Sequence, residues 1–323
     1  MKTPHFVQLH QPADQALARE AQAGLLREAA VVLPKFFYDA LGSRLFDAIT
    51  ELPTYYPTRT EAAILAEQGV AIGQAVREAV GPAPVMIDLG AGNCAKAARL
   101  FELLDPRTYV AVDISVDFLR QSLLCLQREH PARDMVGLGM DFSAGFALPA
   151  GLPGLDAAPR LVFYPGSSIG NFTPEAACAL LRDMRAAAAG GALLIGVDRV
   201  KPRAVLEAAY DDELGVTAAF NLNLLLHLNR LLGADFRIPD WQHVAFFNEA
   251  ASRIEMHLQA RRDVQVRWPL VERAFRAGDR IHTESSYKWT PAAFTQLLAQ
   301  AGFGRVQAWQ DAAGWFGVFL ASG

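Results

Sequence analysis

The segment VMIDLGAGNCAK, residues 85–96, decides the fold. Its first part is an apolar run, 85–90, and a turn rich in glycine, 90–92, leads from this run into residues with helical character. Small residues in such a turn let the backbone approach a ligand closely. A tight strand-to-helix turn without a ligand would have the same composition. The segment alone therefore predicts a strand, a turn and a helix.

The neighbouring segments continue this alternation of strands and helices. Segments with helical spacing predict helices at 60–80, 95–104, 116–128 and 174–189. Apolar runs between them predict strands at 85–90, 109–115 and 192–198. Such alternation is typical of a parallel sheet with helices on both faces. The predicted fold class is α/β with a Rossmann-like sheet.

The alternation breaks between residues 201 and 285. A helical stretch, 202–232, is followed by strand-like runs such as HVAFFN and SRIEMHLQARR. We therefore expect a second, discontinuous α+β domain made of 1–60 and 200–285, and a sheet domain made of 61–199 and 286–323. Near the amino terminus, residues 13–31 have the spacing of one amphipathic helix.

Composition and charge exclude several function classes. The chain has 323 residues, of which 52% are hydrophobic and 20% charged, so a large core is expected. A net charge of −4 gives no basic surface for nucleic acid. The three cysteines show no CxxC pairing, which favours a reducing cytosol and argues against disulfides or zinc. The start, MKTPHFVQLHQ, lacks the apolar core of a signal peptide, and the most apolar run is too short to span a membrane.

Acidic residues follow two further predicted strands. Asp113 lies 23 residues beyond Gly90, where a carboxylate can accept the ribose hydroxyls of a nucleoside. Asp141 and Phe142 follow the next strand and could contact the amine and the ring of adenine. Because ligands of open α/β sheets bind at the carboxyl ends of strands, these positions predict a nucleoside site. NAD stays an alternative, although no catalytic His or Tyr-x-x-x-Lys pattern for hydride transfer is evident.

Longer strings in the chain resemble a known family, the histidine Nα-methyltransferases of ergothioneine biosynthesis. The similarity runs from Tyr38 to the carboxyl terminus and includes the strings YDALGSRLFDAITELPTYYPTR, DLGAGNCAK, GSSIGNFTP, AAYDDELGVTAAFNLNLL, RIEMHLQARR and HTESSYKW. The resemblance implies a class I methyltransferase domain joined to a substrate domain. It also implies S-adenosylmethionine (SAM) as methyl donor, L-histidine as substrate, no metal, and three successive transfers that give trimethylhistidine (hercynine). We expect a cytoplasmic enzyme that can act as a monomer. Its expected substrate is a small molecule, and neither nucleic acid nor a membrane is expected as a partner.

The resemblance also implies residues that hold the donor. They are Gly90, Lys96, Asp113, Asp141 and Phe142, with Lys96 near the donor's carboxylate. The residues alone leave a second interpretation of Lys96 open, since a lysine at this place could be a solvated helix residue.

The resemblance places three residues around the α-amino and carboxylate groups of histidine: Tyr55, Asn171 and Tyr210. Tyr55 and Asn171 are the expected catalytic residues, because they would orient the amine. An Asn amide can donate to a carboxylate and accept from an amine at once. Asn171 could instead cap the helix that begins at Pro174, and Tyr210 could be a half-buried helix residue.

Glu284 and Ser286 are expected around the imidazole. Residues two apart in a strand face the same side, so this pair could contact both ring nitrogens. Glu284 could otherwise be an ordinary exposed acid. Met256 matches a position that lines the pocket, although a Met in an apolar strand is commonly core.

Methyl transfer requires a neutral amine aligned with the S–CH3 bond of the donor. Aromatic faces such as Phe46 and Tyr38 could stabilise a quaternary ammonium product by cation–π contact.

Pro165 and Trp289 depart from the family pattern and predict a different pocket shape near Asn171. The alternatives are a methyltransferase of the same shape acting on tryptophan or on a histidine-derived thiol, an NAD-dependent oxidoreductase, and a non-catalytic binding module.

Overall fold

The apolar runs of the sequence form strands that are buried on both faces. All five residues of Val85–Leu89 and all seven of Ala192–Asp198 are buried in the computed structural model. Parallel strands that are covered by helices on both faces typically have such continuous apolar sequences. The structure describes residues 2–9, 14–143, 145–152, 154–155 and 159–323.

The described strands and helices follow the chain in this order. The strands are β1 (His5–Gln8), β2 (Ala30–Val31), β3 (Val85–Leu89), β4 (Thr108–Asp113), β5 (Asp134–Gly139), β6 (Arg160–Tyr164), β7 (Ala192–Asp198), β8 (Trp241–Asn248), β9 (Arg253–Ala260), β10 (Val264–Trp268), β11 (Val271–Phe275), β12 (Arg280–Tyr287), β13 (Arg305–Gln310) and β14 (Phe316–Ser322). The helices are α1 (Asp14–Leu25), α2 (Ala40–Thr50), α3 (Tyr56–Val80), α4 (Ala95–Ala98), α5 (Phe101–Leu104), α6 (Val116–Glu129), α7 (Pro174–Ala188), α8 (Arg203–Ala208), α9 (Val216–Leu232) and α10 (Pro291–Gln300).

The chain divides into two units. Unit 1 consists of Met1–His10, Pro57–Val200 and Tyr287–Gly323, and unit 2 consists of Gln11–Tyr56 and Lys201–Ser286. These bounds lie within a few residues of the expected ones, except at the amino terminus. No helix of the described part of the chain is long and apolar enough to cross a membrane.

Unit 1 is built on an eight-stranded sheet in the order β1-β5-β4-β3-β6-β7-β14-β13. The pairs from β1 to β7 are parallel, whereas β14 is antiparallel to both of its neighbours. Helices α7 and α10 contribute to the core on one face, and α3, α4, α5 and α6 contribute to the core on the other. This three-layer arrangement confirms the predicted α/β class and the Rossmann-like sheet.

The amino-terminal strand corrects the expected domain boundary. We expected residues 1–60 in the second domain, but β1 pairs in parallel with β5 at the edge of the large sheet. Gly137 of β5 makes room for this pairing, since a Cβ there would lie 2.5 Å from Cδ1 of Phe6. The prediction is therefore wrong for the first residues, because an unpaired sheet edge binds a short strand whatever its distance along the chain.

Unit 2 contains a four-stranded sheet in the order β2-β12-β9-β8 and a separate hairpin of β10 and β11. Strands β8 and β9 are antiparallel, and β12 pairs in parallel with the short β2. Helix α9 packs on β8, β9 and α2. Asp39 connects two of the helices, because its carboxylate accepts from the N–H of Gly42 at the start of α2 and from the Asn223 amide of α9.

Three predicted helices differ in extent from the observed ones. Helix α1 ends at Leu25, and the predicted helix 95–104 consists of two single turns, α4 and α5. The predicted helical stretch 202–232 is broken between α8 and α9. The Asp212 carboxylate accepts from the backbone N–H groups of Val216 and Thr217 at 3.0 and 2.8 Å, which satisfies two free donors in the first turn of α9. Gly215 precedes α9 with a φ of +72°.

A buried ion pair joins β7 of unit 1 to the segment after β12. The Lys288 ammonium lies 2.8 Å from Oδ2 of Asp198, and their side chains are 0% and 1% exposed. Trp289 adds a backbone bond to the same place, because its N–H donates to the Asp198 carbonyl at 3.1 Å. Buried charges are tolerated when they are paired in this way.

Loss of one charge of this pair is expected to destabilise unit 1. We expect Asp198→Asn to lower the free energy of unfolding by about 3 kcal/mol, because the carboxylate charge beside a buried ammonium is removed. The double variant Asp198→Asn/Lys288→Met should lose less than the sum of the two single variants. Urea unfolding measures all three. Lys2→Ala, which breaks an exposed pair with Asp134, is the control and should change stability little; equal losses in Asp198→Asn and Lys2→Ala would contradict the prediction.

Candidate active site

Three neighbouring strands of unit 1 end side by side. In the sheet register Leu89 pairs with Val112, and Asp113 pairs with Gly139, so the residues that follow β3, β4 and β5 lie along one edge. The turn after β3 requires glycine, since Gly90 and Gly92 have φ values of +69° and +53°. The structure thus brings together the glycine turn and both acidic positions that the sequence singled out.

Asp113 is held by backbone donors. Its Oδ2 accepts from the Gly92 N–H at 2.9 Å, and its Oδ1 accepts from the Ser115 N–H at 2.8 Å. Burial raises the pKa of this carboxyl group, whereas the N–H donors lower it. Each carboxylate oxygen has two acceptor sites, so Asp113 retains acceptor capacity for hydroxyl groups.

Asp141 and Phe142 follow β5 and are partly exposed. The Asp141 carboxylate accepts from the Ser143 N–H at 2.9 Å. The ring of Phe142 meets the Tyr164 ring edge-on at 6.0 Å, and a Cβ on Gly90 would lie 3.9 Å from Cζ of Phe142. The aromatic ring and the glycine turn are therefore neighbours, which is the arrangement needed to cover a nucleoside.

Lys96 is paired with an acid that the sequence analysis did not identify. Its Nζ lies 2.9 Å from Oε2 of Glu61, whose side chain is 3% exposed. Lys96 itself is 31% exposed, so it is neither fully buried nor a freely solvated helix residue. Its expected role beside the donor's carboxylate stays a prediction.

Asn171 ends a 3-10 turn, Ser168–Asn171, that follows β6. It does not cap the next helix, because Thr173 is the N-cap of α7 and accepts from the Ala176 N–H at 3.3 Å. Ser167 precedes the turn with a φ of +60° and accepts through Oγ from the Asp198 N–H at 2.8 Å. The structural alternative for Asn171 is thereby removed, and its amide is available for another role.

The strand order reverses between β3 and β6. Strands β4 and β5 follow β3 on one side, and β6 and β7 lie on the other. In open α/β sheets ligands bind outside the carboxyl ends of the strands at such a switch point. Gly90, Lys96 and Asn171 all follow β3 or β6, so this edge is the candidate binding site of unit 1.

Unit 2 assembles three of the expected substrate residues. Tyr210 Oη lies 2.8 Å from Ser286 Oγ in a buried hydrogen bond. The rings of Tyr55 and Tyr210 are 6.1 Å apart and meet edge-on. All three side chains are buried or nearly so, which places their hydroxyl groups where directed hydrogen bonds are strong.

Glu284 and Met256 lie on neighbouring strands of the sheet of unit 2, β12 and β9. Glu284 is 8% exposed, which removes the interpretation as an ordinary exposed acid. Met256 is buried, and its carbonyl accepts from Oγ1 of Thr283 at 3.0 Å. Burial alone does not distinguish a pocket-lining Met from a core Met, so the role of Met256 stays a prediction.

The aromatic residues near Tyr55 form one cluster. Phe46 contacts the rings of Tyr55 and Tyr38 edge-on at 6.3 and 5.8 Å, and it also contacts Phe220 of α9 at 6.0 Å. Edge-on aromatic pairs of this kind stabilise a packed cluster beyond the area they bury. The aromatic cluster therefore links α2 and α9 as a structural element, and a role of Phe46 or Tyr38 beside a cation stays a prediction.

A second polar cluster in unit 2 consists of Glu255, His257 and His282. Their ligand atoms lie within 4.8 Å of one another, as those of a metal site could. Glu255 is already paired, since Arg253 Nη2 lies 2.7 Å from its Oε1 and His257 Nε2 lies 3.0 Å from its Oε2. Burial lowers the pKa of His257 and lowers that of His282 to about 4. Glu255 and His257 are already hydrogen-bonded to each other, and the expectation of a reaction without metal stays a prediction.

Asp88 lies in β3 beneath the glycine turn and is 1% exposed. Its Oδ2 accepts from the Tyr109 hydroxyl at 2.7 Å, whereas Oδ1 has no hydrogen-bond partner among the described residues. Burial raises the pKa of Asp88 to about 7, and the negative charge of Asp113 acts in the same direction. Asp88 thus titrates near neutral pH.

The family of the chain follows from comparison with known proteins. A family model described as histidine-specific, SAM-dependent methyltransferase matches residues 17–323. The chain belongs to this family. Membership confirms the resemblance carried by the longer strings of the sequence.

Several members of known name are similar along most of the chain. Histidine N-alpha-methyltransferase of Mycobacterium tuberculosis is 39% identical over 318 residues, which cover 95% of each chain. The protein of the same name from Mycolicibacterium smegmatis is 38% identical over 316 residues, 96% of this chain and 95% of that one. Ergothioneine biosynthesis protein 1 of Neurospora crassa is 28% identical over 282 residues, 84% of this chain and 31% of that longer protein.

Sequence reasoning missed the buried charges of unit 1. Glu61 bonds to Lys96, and Asp198 forms a buried ion pair with Lys288. Glu61 carried a signal, because it falls on the buried stripe of α3 with Ile64 and Leu65. An acid in an apolar stripe with helical spacing indicates a buried charge that needs a partner.

The pH dependence of stability tests the environment of Asp88. Its pKa of about 7 in the folded chain exceeds the ordinary 3.8, so the folded state binds a proton that the unfolded state has lost between these values. Stability contributed by Asp88 therefore falls as pH rises from about 4 to about 7. Asp88→Asn removes this dependence, and we expect its Tm relative to wild type to increase between pH 5 and pH 8. Asp134→Asn, at an exposed site, is the control; parallel Tm profiles for Asp88→Asn and wild type would contradict the prediction.

Proposed function

We propose that this chain transfers the methyl group of SAM to the α-amino nitrogen of L-histidine. One observation carries the proposal: expected donor ligands lie together in unit 1, and three of the expected histidine ligands lie together in unit 2. In unit 1 the expected donor ligands follow adjacent strands. In unit 2 Tyr55, Tyr210 and Ser286 form one buried group.

Unit 1 would bind the donor through its strand ends. SAM supplies a methyl group on a positively charged sulfur, which is displaced in line by a nucleophile. Asp113 would accept the ribose hydroxyls with the acceptor sites that the Gly92 and Ser115 N–H groups leave available. Asp141 would accept a hydrogen bond from the exocyclic amine of adenine, and Phe142 would cover the adenine ring. The backbone at Gly90 would pass close to the donor because it carries no side chain.

Lys96 would bind the donor's carboxylate. Its ammonium has three N–H donors, and one of them donates to Oε2 of Glu61 at an N–O distance of 2.9 Å. The partial exposure of Lys96 leaves the other donors accessible to a ligand. The Glu61 carboxylate also limits the excess positive charge at this place.

Histidine would be recognised at its two ends by different groups. Tyr55, Tyr210 and Asn171 would contact the α-amino and carboxylate groups. Glu284 would accept from one imidazole N–H, and Ser286 would bond the other nitrogen. The hydrogen bond from Tyr210 to Ser286 supports this arrangement, since it restrains the orientation of both hydroxyl groups. Met256 would line the apolar side of the ring.

The reaction itself needs orientation and a neutral amine. The amine lone pair must point along the S–CH3 bond, which fixed hydrogen bonds to the amino group achieve. Asn171 suits this task because its amide oxygen accepts from the amine while its NH2 group donates to the carboxylate. Tyr55 would be the second orienting group, held by the aromatic cluster around Phe46.

The finer proposal is three successive transfers that give trimethylhistidine (hercynine) for ergothioneine synthesis. The quaternary ammonium product would lie near the aromatic faces of Phe46 and Tyr38, where cation–π attraction is favourable. We place the enzyme in the cytoplasm because Cys94, Cys125 and Cys178 are free thiols, as in a reducing compartment.

Substrate and product are tested together. Purified protein is given SAM and each of the twenty amino acids, and release of S-adenosylhomocysteine is followed. We expect turnover with histidine, and mass spectrometry should detect a product three methyl groups heavier than histidine. Turnover with tryptophan but not with histidine would contradict the substrate. A product that stops at one or two methyl groups would contradict the three transfers alone.

A single substitution tests the imidazole contact. Glu284→Ala removes a charged acceptor and should raise the KM for histidine by about 10- to 100-fold, as expected for the loss of about 1.5–3 kcal/mol from a hydrogen bond to a charged group. The affinity for SAM should stay unchanged. Glu272→Ala on β11 of the same unit is the matched control, since Glu272 is exposed. A weaker affinity for SAM with an unchanged histidine KM would show that Glu284 belongs to the donor site.

A further inference from the structure

Glu61 is a carboxylate in the core of unit 1. It lies in α3 and is buried, and the residues one turn further on, Ile64 and Leu65, are buried apolar side chains. Burying a carboxylate is costly unless hydrogen bonds and a countercharge compensate it. The contacts of Glu61 therefore show which groups compensate the cost of burying its carboxylate.

Glu61 connects two segments that follow different strands. Oε2 lies 2.9 Å from Nζ of Lys96, in the helix that follows β3. The backbone N–H of Gly166, at the start of the loop that follows β6, lies 2.9 Å from Oε1 and 3.1 Å from Oε2. One carboxylate thus holds both sides of the place where the strand order reverses.

Two glycines provide the space for this arrangement. A Cβ on Gly196, in β7, would lie 1.9 Å from Oε1 of Glu61. A Cβ on Gly166 would lie 2.8 Å from Nζ of Lys96, and Gly166 has a φ of +77°, which favours glycine. The absence of side chains at both positions is what allows the carboxylate and the ammonium to meet.

We propose that Glu61 is a positioning residue that fixes Lys96 and the segment Gly166–Asn171 relative to each other. Glu61 would act on both ligands without touching either, through Lys96 on the donor and through the loop with Asn171 on histidine. This inference rests on the proposed function, because Lys96 and Asn171 are ligands only in that function. A carboxylate suits this role because both of its oxygens accept, so it presents no donor to the Gly166 N–H or to Lys96, and its negative charge pairs with the ammonium.

Glu61→Gln tests the proposal with almost no change of volume. The NH2 group of the new side chain would face either the Gly166 N–H or the Lys96 ammonium, so a donor faces a donor at one of the two contacts, and the negative charge beside Lys96 is lost. We expect the Kd for S-adenosylhomocysteine, measured by calorimetry, and the KM for histidine each to rise by about tenfold, as for the loss of a charge-assisted hydrogen bond.

A second variant displaces Glu61 without changing any charge. In Gly196→Ala the new Cβ occupies the place of Oε1. We expect the same paired rise of Kd and KM. Glu67→Gln, at an exposed position of the same helix, is the control and should leave both constants unchanged. Lys96→Met should weaken donor binding alone, and Asn171→Ala should raise the KM for histidine alone.

Two results would overturn the proposal. One is a lower Tm of Glu61→Gln with unchanged Kd and KM, since a merely structural residue would act on stability only. The other is a change confined to one ligand. The proposed function fails separately: wild-type protein would then release no S-adenosylhomocysteine with histidine, while the calorimetric arm would still report on the contact between Glu61 and Lys96.

Discussion

The reversal of strand order between β3 and β6 is the constraint on which unit 1 depends. Chain segments that leave these two adjacent parallel strands diverge to opposite sides, so the edge between them is not covered by a connection. The glycine turn at Gly90 and the segment Gly166–Asn171 both begin there. Backbone hydrogen bonds hold the two strands in register, so both segments start from fixed positions. The side chains that connect the segments therefore need to span only short distances.

The buried charges of unit 1 are concentrated at this same edge. Glu61 pairs with Lys96, and Asp198 pairs with Lys288. In a core of continuous apolar strands, a charge persists only where a partner compensates its desolvation. Such pairs contribute little net stability compared with apolar residues of the same shape, and their value is that they define one arrangement of the segments they join. A binding edge made of loops gains most from this property.

Unit 2 brings its polar side chains together in a different way. Its sheet is small, and the residues expected at the amino acid come from elements far apart in the chain: Tyr55 precedes α3, Tyr210 follows α8, and Ser286 lies in β12. Their assembly depends on aromatic packing against α9 and on the hydrogen bond between Tyr210 and Ser286. Hydroxyl groups held by rings in a packed cluster lose little freedom when a ligand binds, which favours specific recognition of a small polar molecule.

The sequence by itself determined the layers of unit 1 and the edge at which its ligands are expected. Continuous apolar runs predict strands buried on both faces, and glycine with acids at the strand ends indicates a nucleoside site, because these signals depend on neighbours along the chain. Long strings of the sequence indicated the family. Only the tertiary structure decided that β1 joins the large sheet, that the predicted helix 202–232 is divided into α8 and α9, and that Thr173 rather than Asn171 caps α7. The same holds for Glu61, whose partners lie 35 and 105 residues away in the chain. Contacts at such separations leave no periodic signal in the sequence, since they arise from sheet register and from the space that Gly166 and Gly196 leave open.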